Sequence, residues 1–247
     1  LDPETTTGTK EKVITITKFN GVANGASTKT AKGQLVVLSK ELPRAVLVEE
    51  FTGTGCPWCP RGMVGMTKMA KTFGDKFAGV ALHNYNATDP MSISYDGNLN
   101  FDGAPNCRLN RGPGMDPYYG TGEDIADDFR KELTVLPFVG ITLTGVYDQA
   151  TEKVTAEATI DPLVSGNFKL AYVLTADGLT GDEAVWKQAN NYAQFEQNRL
   201  PDDMKPYGKG GEFGQSRFKG VFDDVAIASS FSGAAVDLQA LTENNRS

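Results

Sequence analysis

Hydrophobic positions along this chain repeat with two different periods, and the change of period marks the elements. Val13 to Thr17 (VITIT) alternates β-branched and polar residues with period two, the mark of a strand, and Gly33 to Ser39 (GQLVVLS) reads the same way. Between them, Asn20 to Lys32 is rich in Gly, Ser, Thr and Asn and reads as a loop. Ala45 to Val48 is apolar without interruption, the pattern of a strand buried on both faces, and it runs through Glu49 and Glu50 to Phe51. From Pro60 the period becomes helical, with Met63, Met66, Met69, Ala70 and Phe73 on one face and Gly74 as the stop. The methionine stripe is expected to pack on the sheet. Gly79 to His83 is a second buried strand, parallel to the first through the helical crossover.

Asn84 to Gly103 is polar and carries the turn dipeptides Asp89-Pro90 and Asp96-Gly97, so it reads as an insertion above the sheet. Gly112 to Gly120 reads as a loop. Thr121 to Thr134 is a helix with Asp124, Asp127 and Asp128 near its first turn, where the helix dipole favours acids. Phe138 to Asp148, Lys153 to Asp161 and Asn167 to Ala176 alternate as antiparallel strands with one exposed face. Residues 178–220 are irregular, with Trp186, Tyr192, Phe195, Tyr207, Phe213 and Phe218 spaced among Gly, Asn and Gln. These aromatics are expected to fill the core of the β-rich part. The Thr-rich opening, Leu1 to Lys12, reads as a flexible leader, and Asn244 to Ser247 adds no closing strand, so a sandwich built from this chain is expected to be incomplete.

The 247 residues bury a sizeable core, and 40% hydrophobic with 22% charged residues is ordinary for a globular protein. A net charge of -7 argues against nucleic acid and against a polybasic membrane patch. No stretch has the roughly 18 to 20 apolar residues of a membrane span, so any membrane link is expected through a lipid anchor outside this sequence. The 3 cysteines are too few for a disulfide scaffold, and the odd number leaves one outside any internal pair.

The chemistry of interest is Cys56-Pro57-Trp58-Cys59, delivered by a Thr/Gly turn from the buried strand to the start of the helix. Two thiols at this spacing close a small disulfide ring, and amides at a helix start lower the pKa of the first thiol. So short a ring removes little chain entropy, which marks a redox switch and not a staple. Cys56 is expected to be the nucleophile and the more exposed of the pair, and Cys59 the resolving thiol. The same spacing also serves as half of a zinc site, in which Cys107 and His83 would complete a tetrahedron, but the strand before the dithiol favours redox use, with no metal and no cofactor. His83, the only histidine, is expected to be a packed or hydrogen-bonded ring.

A C-x-x-C helix, a second strand and then Ala104-Pro105 opening a further strand resemble the thioredoxin fold over about Pro43 to Thr134. That resemblance implies a cis Pro105 facing the dithiol, a substrate groove formed by Pro57, Trp58, Ala104 and Pro105, and a buried acid at Glu50 that accepts the resolving thiol's proton. Glu49 faces the other way along the strand, so only one of the two acids is expected to point inward. Cys107 falls on the same face as Pro105 and is expected to be buried and reduced. More narrowly, VLVEEFTG running into C-x-x-C-P, with the proline-led strand ending in Asn110-Arg111, resembles the thioredoxin-like outer-membrane lipoproteins of gut Gram-negative bacteria, the family named for a twenty-eight-kilodalton outer membrane protein. The chain departs from thioredoxins in having Gly55 before the first cysteine and Pro57-Trp58 between the two.

The resemblance implies a leader over 1–12, an α/β thioredoxin-like domain over 13–135, and an antiparallel all-β, immunoglobulin-like sandwich over 136–247. It implies a periplasmic or surface lipoprotein that exchanges thiols and disulfides with protein partners. The alternative is a binding or structural lipoprotein with a vestigial dithiol.

Overall fold

Three apolar residues followed by two acids form the Val46–Phe51 strand, and the larger part of the protein is built around it. The computed structural model describes residues 5–96, 98–119, 124–232 and 236–241. Within these the chain is a mixed α/β protein with a sheet-rich body and two α-helices, Pro60–Phe73 and Ala126–Leu133. Phe77–Leu82 lies parallel to the central strand, from Val46 opposite Phe77 to Phe51 opposite Leu82. Asn106–Leu109 lies antiparallel on its other side, from Val48 opposite Leu109 to Phe51 opposite Asn106. The succession of strand, C-x-x-C turn, helix, parallel strand and proline-led strand is therefore present as expected, and the Ala104–Pro105 bond is cis.

The helix packs Met66 and Met69 on Val46, Val48, Cys107 and Leu109 of the sheet, with Ile125 and Phe129 closing this core from the second helix. Burying side chains of this size contributes about 1.5–3 kcal/mol each. Gly74 ends the first helix with a φ of 52°, a value that suits glycine. The second helix is shorter than its sequence pattern. Its first four expected residues include 121–123, which lie outside the described residues, and Asp124 accepts the Ala126 amide at 3.0 Å just before it begins.

The sheet has six strands, in the order Val173–Ala176, Val225–Ser229, Phe77–Leu82, Val46–Phe51, Asn106–Leu109, Gly114–Met115. This corrects two expectations. Residues 173–176 and 225–229 belong to the dithiol sheet and not to a separate β-module, because Val225 pairs in parallel with Ala81 on the open edge of Phe77–Leu82. Residues 112–120 are not all loop, since Gly114 and Met115 pair with Arg108 and Cys107.

The chain divides into two compact units, one of residues 44–136 and 169–237 and the other of 1–43, 137–168 and 238–247; it changes unit at 136/137, next to the expected boundary at 135/136, and again at 43/44, 168/169 and 237/238. In the second unit the described strands pair two by two. Gly8–Thr15 pairs with Thr30–Val37, which makes part of the expected flexible leader a strand; residues 1–4 lie outside the described residues. Asn20 and Gly21, read as loop, form the tip of a small hairpin, both at positive φ (49° and 82°), as an Asn-Gly turn requires. Val139–Asp148 pairs along its whole length with Lys153–Pro162. Among the described residues these ladders are two-stranded, and the expected immunoglobulin-like sandwich is not shown. The expected end at Asn244 to Ser247 lies outside the described residues.

Candidate functional site

Strand geometry carries the chain directly to the dithiol. Past Phe51, the Thr52 amide donates to the Leu82 carbonyl at 2.9 Å and the Tyr85 amide donates to the Thr52 carbonyl at 3.1 Å, so the turn stays tied to the neighbouring strand. Asp89 fixes the turn from outside. Its carboxylate accepts the Thr54 amide at 2.6 Å and the Met91 amide at 3.0 Å, and it bonds His83 Nδ1 at 3.2 Å. Burial works against the Asp89 charge, but these bonds outweigh it and hold the carboxyl below its ordinary pKa. His83, as expected, is a packed, hydrogen-bonded ring, edge-on to Phe222.

Cys56 and Cys59 form a disulfide with Cα atoms 5.4 Å apart, and Pro60 follows at the first helical position, where a missing N–H costs nothing. The expected difference in exposure between the two cysteines is nearly absent, since both are buried: Cys56 is 1% exposed and Cys59 0%. The helix start does not face solvent because residues 187–192 lie on it: the Ala189 amide donates to the Thr54 carbonyl at 2.7 Å and the Asn191 amide to the Pro57 carbonyl at 2.9 Å.

Glu50 is 2% exposed, on the face of the strand toward the helix. A β-carbon placed on Gly62 would lie 1.9 Å from Glu50 Oε1 and 2.9 Å from the β-carbon of Pro105, so this glycine lets the acid and the cis proline reach the helix together. Gly62 is three residues after Cys59, one turn along the same face. Glu50 Oε1 has no hydrogen-bond partner. Beside it is a cavity of about 240 Å³, lined also by Thr52, Met63, His83 and Asp224. Burial, helped by the nearby carboxylates of Asp116 and Asp224, pushes the Glu50 pKa up to about 8. Burial, with Asp177 and Asp223, raises Asp224 to about 6.

Glu49 corrects the expectation that only one acid points inward. Both are buried, on opposite faces, because the sheet is covered on both sides. Glu49 is 0% exposed, accepts the Tyr95 hydroxyl at 2.8 Å, and takes two bonds from Arg111, at 2.9 and 3.1 Å. Asn110 and Arg111 both have positive φ, which turns the chain back over the central strand, and Asn110 exchanges bonds with the Leu47 backbone. Of the Asn110-Arg111 pair, Asn110 thus fixes the turn and Arg111 forms the ion pair with Glu49. Nothing local in the sequence pairs residues 49 and 111.

The expected groove residues are divided between two places. Pro105 is buried against Gly62, with Ala104 half-buried before it. Pro57 and Trp58 face the 187–195 segment, and Trp58, 37% exposed, sets its ring edge-on to Tyr192 with centroids 5.3 Å apart. Aromatics of the 178–220 stretch therefore pack on the dithiol unit and not in a β-module core: Tyr192 joins Tyr118 and Met204 against Val64 of the helix, and Trp186 joins Met91 and Phe222. Cys107 is free and buried, opposite Glu50 on the adjoining strand, and burial with the Glu50 charge drives its pKa upward. With Cys56 and Cys59 bonded to each other and His83 bonded to Asp89, the four residues of the metal reading are not assembled. Among the described residues no group of three or more His, Cys, Asp and Glu is arranged to hold a metal ion. No described helix is long and apolar enough to cross a membrane.

No protein-family profile and no curated protein matches the chain. Among solved structures, HBP35 of Porphyromonas gingivalis is similar at 17% identity with a TM-score of 0.48, the match covering 81% of this chain and 61% of that one. The chain thus spans less than two thirds of that protein's length. The arrangement of strand, Cys56–Cys59 disulfide and helix is compatible with redox chemistry.

Proposed function

We propose that the protein is a thioredoxin-like thiol-disulfide exchange protein of the cell envelope, acting on thiols or disulfides of other proteins. The observation that carries this reading is the Cys56–Cys59 disulfide at a helix start together with buried Glu50, whose Oε1 has no hydrogen-bond partner and lies against Gly62, one helical turn from Cys59, at a pKa of about 8. In the exchange, a substrate thiolate attacks Cys56 Sγ, the Cys56–Cys59 bond breaks, and its electron pair leaves on Cys59 Sγ. The neutral Glu50 carboxyl supplies a proton to that thiolate. A second substrate thiolate then displaces Cys56 from the mixed disulfide, so the substrate is oxidised by two electrons and the protein is reduced. Run backward, the Cys56 thiolate attacks a substrate disulfide and one substrate thiolate leaves; Glu50 then takes the Cys59 proton, the Cys59 thiolate attacks Cys56 Sγ, the second substrate thiolate leaves, and no cofactor is needed in either direction. A carboxyl that titrates near neutral pH suits both roles.

An envelope location, with a lipid anchor outside this sequence, fits a disulfide that persists in an oxidising compartment. The test is the reduction potential of the pair by equilibration with glutathione, together with two-electron exchange with a protein disulfide such as insulin. Measurable exchange that disappears in Cys56→Ser supports the proposal, and no exchange at any potential ends it. A second reading, a binding or structural lipoprotein with a vestigial dithiol, is favoured by the burial of both sulfurs.

A further inference from the structure

The segment lying on the dithiol is held by an unusual number of specific contacts for a chain stretch with so little regular structure. Lys187–Ala189 pairs antiparallel with Arg217–Lys219, which supports it from outside. On the inside, Gln188 Nε2 points at the dithiol turn, 2.8 Å from the Cys56 carbonyl, 3.3 Å from that of Gly53 and 3.0 Å from that of Ala189. Two residues after Gln188, Asn190 pins the segment to its own loop. Its Nδ2 donates to the carbonyls of Tyr207 and Phe213, both at 2.9 Å, and its Oδ1 accepts the Tyr192 amide at 2.9 Å. Tyr192 then abuts Trp58, between the two cysteines, and accepts a bond from Arg61 at 3.2 Å.

Nevertheless the fit is imperfect. Gln188 offers two hydrogens to three carbonyls, and its Oε1 is buried without a partner. An unpaired buried acceptor costs free energy, so the segment is held less firmly than its number of bonds suggests. Thiol-disulfide exchange needs an attacking thiolate to reach a sulfur, and both cysteines here are buried.

We infer that Lys187–Phe195 is an opening cover over the dithiol: Cys56–Cys59 reacts only from a locally opened state in which Gln188, Ala189 and Asn191 have left the Gly53–Pro57 turn. The inference rests on the exchange reading and adds its control, because the site is closed at rest and a partner must lift the cover or wait for it to open. Local opening of this kind is separate from global unfolding.

The test is the rate at which the full chain is reduced by dithiothreitol at pH 8, read by trapping free thiols with maleimide and weighing the product. One thiolate of the reagent attacks Cys56 Sγ and Cys59 leaves; the second closes the reagent's own ring disulfide and releases Cys56, so two electrons pass to the protein. Gln188→Ala removes the inner bonds and should speed reduction roughly five- to thirtyfold. The amides of Ala189 and Asn191 should exchange with deuterium more readily in the same proportion. Phe129→Leu, in the core away from the cover, is the control: it should lower thermal stability and leave the reduction rate within about twofold. Equal rates for Gln188→Ala and wild type, or equal acceleration by Phe129→Leu, overturns the cover. Acceleration in Gln188→Ala with no insulin exchange by any form leaves the cover standing and removes the oxidoreductase reading instead.

Discussion

Replacing Glu50 by Gln should remove the larger part of a loss of stability that the wild type shows as pH rises. The folded protein holds the Glu50 proton up to about pH 8, whereas the ordinary value, taken for the unfolded chain, is 4.5. Between these values the folded state binds a proton that the unfolded state does not, so wild-type stability is full below about pH 4.5 and falls as pH rises, with the loss complete above pH 8. The separation of 8 from 4.5, at about 1.4 kcal/mol per pKa unit, makes the total loss on the order of 4–5 kcal/mol. That is a large share of the roughly 5–15 kcal/mol that holds a typical domain. Glutamine keeps the shape and carries no charge, so the variant should match the wild type within about 1 kcal/mol at pH 5 and exceed it by several kcal/mol at pH 9. Asp224, raised to about 6, shifts stability in the same direction but is present in both proteins, so it largely cancels in the difference. Urea unfolding of the oxidised forms at pH 5, 7 and 9 measures the effect. A wild-type-minus-variant difference that is the same at pH 5 and pH 9 would refute the buried-acid argument.

Three further outcomes follow from the same geometry. Gly62→Ala gains about 1 kcal/mol in helix propensity but forces a β-carbon onto Glu50 and Pro105; with overpacking at about 1–3 kcal/mol, it should be a net loss in urea unfolding, and a stabilised variant would contradict the close approach. Arg111→Ala strands the fully buried Glu49 with the Tyr95 hydroxyl as its remaining side-chain donor, and should cost about 3–5 kcal/mol, part of it recovered by Arg111→Lys. Cys107, buried and raised in pKa, should resist iodoacetamide in the native protein at pH 8 and label on unfolding. A non-reduced digest in which Cys107 is linked to Cys56 or Cys59 as the main species would refute that assignment.

The local parts of the site could be read from the sequence because their signals are local. The methionine spacing gives the helix face, the turn before Cys56 gives the dithiol's place, and Gly74 gives the stop. What could not be read depends on partners distant in sequence. Residues 173–176 look like any short strand, and only pairing beside Val225 assigns them to the dithiol sheet. Gln188 and Asn190 act by donating to backbone carbonyls from single-turn 3₁₀ segments and a three-residue strand, and neither kind of element has a period long enough to detect. The exposure of Cys56 was inferred from the helix start alone, which holds only where nothing covers it.

The two adjacent acids have one more effect, on how the central strand finds its alignment. Val46, Leu47 and Val48 are apolar at successive positions, so a slip by one residue would exchange faces at little hydrophobic cost. Glu49 and Glu50 remove that ambiguity. One face offers the Arg111 guanidinium to Glu49, while the other offers Glu50 a small cavity and no cation. A slip by one residue in one direction would put Val48 opposite Arg111, and in the other would put Glu49 at the place of Val48 in the apolar core. The charges that make the strand costly to bury also allow it only one way to lie.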